Sequence, residues 1–111
     1  MRGKQLCLLV ATTLIVAVFW AHSEGSAEYP QDGYQWSNSD VPTKRSVCVD
    51  IIKGRVGQSA WDNNNGRAAA TLYCIESIDG YYEEHPKDHS LEQAKQETLE
   101  DILRFFATGQ R

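Results

Sequence analysis

The chain of 111 residues lacks the local signatures of several enzyme classes. It contains no nucleophile elbow, no phosphate-binding glycine loop and no HExxH zinc motif. Two adjacent acidic pairs, Glu83/Glu84 and Glu100/Asp101, could in principle serve as catalytic carboxylates. Neighbouring residues on a helix point about 100 degrees apart, however, so neither pair makes a matched acid/base couple by itself. We therefore predict a protein that is not an enzyme and that carries no cofactor.

Positive charge is also scarce, with 11 Lys and Arg against 15 Asp and Glu and a net charge of −4. This balance argues against nucleic acid as a partner, since binding to phosphates depends on clustered cations. A solvated acidic surface is the simplest interpretation. A basic protein partner is the more specific one, because opposite charges steer association.

Only one long hydrophobic run is present, "LCLLVATTLIVAVFWA" at residues 6–21, and it follows Arg2 and Lys4. The run is shorter than the roughly 20 residues of a membrane-spanning helix, and small residues come next. We predict a signal peptide over residues 1–23, cleaved after Ser23 or Ala27, with a membrane anchor as the alternative. Cleavage after Ser23 would lower the net charge to −6 and give a periplasmic or secreted protein without membrane attachment.

Cysteine is rare, and Cys7 lies within the predicted signal peptide. Export would leave Cys48 and Cys74 in an oxidising compartment, where we expect a disulfide between them. Two free buried thiols are the alternative. In the chain-entropy model such a link stabilises the fold by about 3 to 4 kcal/mol, which is large for so small a domain.

Helical periodicity dominates the rest of the chain, so we predict an all-α fold with about three helices in a domain at residues 41–111. Residues 24–40 have no apolar period and are predicted to form a flexible arm. The tyrosines and Trp36 of that arm leave docking onto the domain open.

The first predicted helix begins after Asp40, although the alternation of Val47, Val49 and Ile51 makes a strand the alternative. Its apolar face comprises Cys48, Ile51, Ile52, Val56 and Ala60. The second helix follows the turn "DNNNG" at 62–66 and ends before Pro86. Its expected apolar stripe comprises Ala68, Ala69, Leu72, Ile75, Ile78 and Tyr82.

The third helix has the clearest signals. Ser90 and Gln93 are spaced as a capping box, and Gly109 is suited to closing the helix. The apolar residues between them recur at helical spacing: Leu91, Ala94, Leu99, Ile102, Leu103 and Phe106.

Two histidines, His85 and His89, lie four residues apart among carboxylates. Pro86 separates them into two structural elements, and zinc would need a third and usually a fourth ligand. We predict that neither histidine is a metal ligand and that the chain has no metal site.

The best surface candidate is the segment Trp61, Asp62, Asn63 and Asn64, where a tryptophan adjoins a polar turn. A tryptophan in this position is a good anchor for a protein interface. Burial of Trp61 in the core is the competing interpretation. Glu83 and Glu84 form a second, weaker candidate for partner binding.

The motif "CVDIIKG" at 48–54 resembles the C-x-x-x-I-x-G motif of the Tai/Rap group, periplasmic immunity proteins against type VI secretion effectors. "CIES", "YYEEHPKDH", Ala94 and "LEDILRFF" follow in the order found in that group. The resemblance covers residues 48–106. The stretch between the second cysteine and "HP" is about ten residues shorter than the group's pattern, which affects the expected number of helices. The resemblance implies a small helical, non-catalytic protein that inhibits a cell-wall-degrading effector enzyme in the periplasm. The net charge of the chain indicates that this enzyme is basic.

The alternative function belongs to another class. Small periplasmic acid-stress chaperones, similar to the HdeA-like helical proteins, also have one disulfide and a tryptophan-rich start. Protonation of histidines and carboxylates would then expose the apolar stripe. The sequence leaves the oligomeric state open, including a homodimer.

Overall fold

The structure is a computed structural model that describes residues 29–110. The predicted signal peptide, both of its cleavage positions and residues 24–28 lie outside this range. The described range contains five helices and no strand, and 77% of it is helical. The predicted all-α class is confirmed, whereas the number of helices exceeds the predicted three. The helices are α1 Gly33–Asn38, α2 Val41–Val56, α3 Gln58–Asp62, α4 Arg67–Glu84 and α5 Leu91–Thr108.

Side-chain caps set several helix ends. Asp40 accepts a hydrogen bond from the backbone N–H of Thr43 at 2.9 Å, and Ser90 accepts one from the N–H of Gln93 at 3.1 Å. These bonds satisfy donors that have no partner within the first turn. Hydrogen bonds from Thr43 also hold the pKa of Asp40 below its usual value. At the other end of α5, Gly109 has φ +71, the left-handed conformation that favours glycine.

Gly57 divides the first predicted helix in two. Its φ of +92 is rarely adopted by residues with a side chain, and it ends α2 and begins α3. Gly80, by contrast, does not interrupt α4. The extra helices α1 and α3 are both six residues or shorter, too short for a periodic pattern to show.

The core lies among α2, α4 and α5, and Trp36 of α1 completes it. Cys48 on α2 and Cys74 on α4 are fully buried and disulfide-bonded, with their Cα atoms 5.9 Å apart. The buried apolar residues are Trp36, Val47, Cys48, Ile51, Ile52, Ala70, Cys74, Ile78, Tyr81, Tyr82, Leu91, Ala94, Ile102 and Phe106.

The apolar stripe predicted for the second helix was partly wrong. Ile78 and Tyr82 are buried, but Ala68, Ala69 and Leu72 are exposed. The core face of α4 instead runs through Ala70, Cys74, Ile78 and Tyr81. Several apolar side chains therefore lie outside the core, on the flank of α4.

Residues 29–40, predicted as part of a flexible arm, dock on the domain. Trp36 is 1% exposed, and its Nε1–H donates a hydrogen bond to Asp79 Oδ1 at 2.7 Å. Backbone bonds from Gly33 N–H to the carbonyl of Lys87 and from Leu91 N–H to the carbonyl of Gln31, both 2.8 Å, fix the segment to the α4–α5 joint. Helix α1 therefore packs against the other helices of the described range, as the alternative of docking anticipated.

None of the helices within residues 29–110 is both long and apolar enough to span a bilayer.

Candidate functional site

Trp61, the predicted anchor, lies half-buried on the short helix α3. Its ring stacks on that of Phe106 with centroids 6.0 Å apart and planes 4° from parallel. Lys53 Nζ lies over the ring at 5.9 Å from its centroid. Both interpretations of this residue therefore hold in part, since one side of Trp61 packs on the core and the other remains accessible.

The end of α3 is held by Arg67. Its Nη1 donates to the carbonyl oxygen of Asp62 at 2.8 Å and to that of Trp61 at 3.3 Å. A cation at this position also complements the negative end of the helix. The carboxylate of Asp62 accepts a bond from Gln58 Nε2 at 2.9 Å and remains exposed. Arg67 thus holds the backbone of Trp61 and Asp62 at the end of α3.

The two asparagines that follow differ in their contacts. Asn63 is exposed, whereas Asn64 is half-buried and uses both ends of its amide. Asn64 Nδ2 donates to the carbonyl oxygen of Phe106 at 2.7 Å, and its Oδ1 accepts from the N–H of Gly66 at 2.7 Å. Asn64 therefore ties the turn before α4 to the end of α5, a structural role that the sequence did not indicate.

Glu83 and Glu84 are exposed in the last turn of α4. Residues 61–64 precede the first turn of the same helix, so the two candidate segments are separated by the helix length, about 25 Å. The structure does not bring them together into one site.

A groove between α2 and α4, with a volume of about 430 Å³, was not foreseen from the sequence. Trp61 is one of the residues that line it. Val41 and Leu72 in its lining are 58% and 56% exposed, although both are large and apolar. Its lining residues are Val41, Arg45, Val49, Trp61, Arg67, Ala68, Thr71, Leu72 and Ile75. The signal that could have revealed it is the excess of apolar residues on α4, more than one buried face requires.

The two histidines pack around Tyr81. The ring of His85 stacks on Tyr81 at 4.1 Å, and the hydroxyl of Tyr81 lies 2.8 Å from Nδ1 of His89. The histidine rings are 6.0 Å apart, closer than their placement in two elements suggested. No group of three or more His, Cys, Asp or Glu side chains within residues 29–110 is arranged to hold a metal ion.

Burial governs the ionisation of the tyrosines at this joint. It raises the pKa of Tyr82 to about 12, with smaller contributions from Tyr81 and Asp32. The hydroxyl of Tyr82 donates to the carbonyl oxygen of His89 at 3.0 Å. Burial and the charge of Glu97 also raise the pKa of Tyr81. These contacts join α4 to the loop before α5, which is a structural use of the cluster.

No protein-family model, curated protein sequence or solved structure matches the chain.

Proposed function

We propose that this protein is a non-catalytic inhibitor that binds a partner enzyme, as an immunity protein against a cell-wall hydrolase delivered by type VI secretion. The observation that carries the proposal is the exposed apolar groove between α2 and α4, whose lining includes Trp61. Scattered exposed apolar side chains are normal, but several lining one groove indicate an interaction surface.

Rigidity of the groove supports inhibition by occlusion. The Cys48–Cys74 disulfide joins the two helices that form its walls. The bond from Arg67 to the carbonyl oxygen of Trp61 and the stack on Phe106 hold Trp61 in the groove lining. A preorganised surface loses little conformational entropy on binding, and this favours a tight complex.

The proposed contact surface centres on Trp61, with Asp62 and Asn63 at its rim. Asn64 supports the turn from behind through its bonds to Phe106 and Gly66. An interface of ordinary size buries about 800 Å² on each partner, a patch roughly 30 Å across. A single partner would reach Glu83 and Glu84 as well only by lying along α4.

Charge and compartment complete the proposal. The net charge of −6 expected after cleavage at Ser23 favours a basic effector enzyme, which the acidic exterior would attract over several ångströms. The protein would act in the periplasm or after secretion, where the disulfide forms.

Protection of cells tests this function. The full chain is co-expressed with a periplasm-directed copy of a peptidoglycan hydrolase encoded beside its own gene, and lysis is followed by turbidity. The expected result is survival with the full chain and lysis with a chain that lacks residues 1–23. Lysis in both cases, together with binding of unfolded client proteins below pH 4, would favour an HdeA-like chaperone instead.

A further inference from the structure

We propose that the groove between α2 and α4 receives an acidic, amphipathic helical segment of the partner. This inference rests on the proposed function only in that a protein partner exists. It specifies what the earlier proposal leaves open, namely which chemistry the partner inserts.

The apolar part of the groove fits one face of a helix. Val41 and Val49 lie eight residues apart on one wall, two turns of α2, and Leu72 and Ile75 lie on the opposite wall. An amphipathic helix presents apolar side chains at matching intervals of three, four and seven residues. The groove volume of about 430 Å³ falls in the range of sites that enclose several side chains.

The described residues leave this face uncovered. α5 packs against α2 and α4 from elsewhere and contributes no residue to the groove lining. Leu72 and Val41 are two of the four large apolar side chains that are strongly exposed within residues 29–110. Burying both side chains in a complex would remove apolar surface from water. Each Å² of apolar surface buried stabilises the complex by about 25 cal/mol.

The charged residues that line the groove determine which charge the bound segment should carry. Arg45 and Arg67 are its only charged lining residues among residues 29–110, on a chain whose acidic residues outnumber its basic ones. Both residues are exposed. Arg67 Nη1 already donates to the carbonyl oxygens of Asp62 and Trp61, and its Nε and Nη2 are not used in those bonds. Guanidinium groups bind carboxylates in a two-pronged geometry that a neutral segment cannot use. Carboxylates on the flank of the inserted helix would meet Arg45, which lies midway between Val41 and Val49 on its wall, and Arg67 on the other helix.

This local preference is compatible with a partner that is basic as a whole. The acidic exterior governs long-range attraction, whereas the groove governs which segment docks. The segment expected from the partner is therefore an acidic helix on a basic protein.

Two labelled peptides of 16 residues test the proposal by fluorescence anisotropy with the exported chain. Both carry the same leucine face at intervals of three and four residues, one with glutamates and one with lysines along the flanks of that face. We expect the glutamate peptide to bind about tenfold more tightly. The substitution Leu72→Asp should abolish binding of both peptides. Arg45→Glu leaves one positive and one negative charge at the groove and should remove the preference, and Tyr34→Asp, an equally exposed control on α1, should change nothing.

Several results would overturn the inference. They are a lysine peptide that binds as well as the glutamate peptide, binding that survives Leu72→Asp, and no binding of either peptide. A dimer in light scattering that dissociates in Leu72→Asp, with neither peptide bound, would assign the groove to a second copy. Inhibition of the hydrolase that persists without peptide binding would refute the groove chemistry alone. Peptide binding without inhibition of any hydrolase would refute the proposed function alone.

Discussion

Asn64 shows how one side chain can serve the fold in a segment that the sequence marks for recognition. Its amide bridges Gly66 and the carbonyl oxygen of Phe106, which lies 42 positions later in the chain. A run of three asparagines predicts a turn but not a long-range contact of this kind. The neighbouring Asn63, exposed and of the same type, is a natural control.

Replacing Asn64 with aspartate should lower the free energy of unfolding by about 1 to 2 kcal/mol, because a carboxylate cannot donate to Phe106. The new charge would also face the negative end of α5. Asn63→Asp makes the same change of charge and should alter stability by less than about 0.5 kcal/mol. Urea denaturation measures both, and equal effects would show that the Asn64 bonds contribute nothing.

Tyr82 gives the fold a predictable response to alkaline pH. Its pKa is raised to about 12 in the native state, whereas an unfolded tyrosine ionises near pH 10. The native state therefore binds the proton more tightly, so this contribution is complete below about pH 10 and is lost between pH 10 and about 12. Tyr82→Phe should flatten the fall of stability over that range, as measured by urea denaturation at successive pH values. Tyr34→Phe, at an exposed ring, is the control, and an unchanged slope in Tyr82→Phe would contradict the assignment.

At the scale of elements, local signals predicted helix ends better than helix faces. The helix ends predicted from the sequence are capped by the expected residues, Asp40, Ser90 and Gly109. They were predictable because capping depends on residues within one turn of the helix end. The face of α4 was misassigned because its apolar residues exceed those needed for one buried stripe, so periodicity alone could not choose between them. The groove is the structural consequence of that excess.

Docking of α1 could not be predicted from local pattern. The bond between Trp36 and Asp79 joins residues 43 positions apart, and Lys44 strengthens the contact by an ion pair with Asp79 at 3.2 Å. The composition of this segment is typical of a flexible linker, but tertiary contacts of this kind fold it onto the domain. Gly33 of α1 also lies at this close contact, next to Tyr82 and Lys87.

Gly33→Ala should destabilise the protein by about 2 kcal/mol. A Cβ at this position would lie 2.5 Å from a ring carbon of Tyr82 and 2.8 Å from the backbone of Lys87, so the ring and the backbone would both have to move. Gly54→Ala, in α2, meets nothing within 4 Å and should instead stabilise by about 0.5 to 1 kcal/mol. The unfolding temperature should fall in Gly33→Ala and rise in Gly54→Ala, as measured by thermal denaturation. A shift in the same direction would contradict the close packing of α1.

For the whole molecule, the disulfide is the main covalent constraint within the described domain. Cys48 and Cys74 are 26 positions apart and link α2 to α4 beneath the groove. Intact mass after export should be two hydrogens below the reduced value, and reduction should lower the free energy of unfolding by about 3 kcal/mol. Two thiols that react with an alkylating agent in the native exported protein would contradict this prediction.

Binding to the hydrolase encoded beside the gene tests the central claim most directly, measured by titration calorimetry with the exported chain at neutral pH. The account predicts a one-to-one complex, with Leu72→Asp weakening the affinity by at least about thirtyfold. Tyr34→Asp, which makes the same change at a similarly exposed residue away from the groove, should leave the affinity unchanged. Equal affinity for the wild type and Leu72→Asp, or no binding of the hydrolase at all, would contradict it.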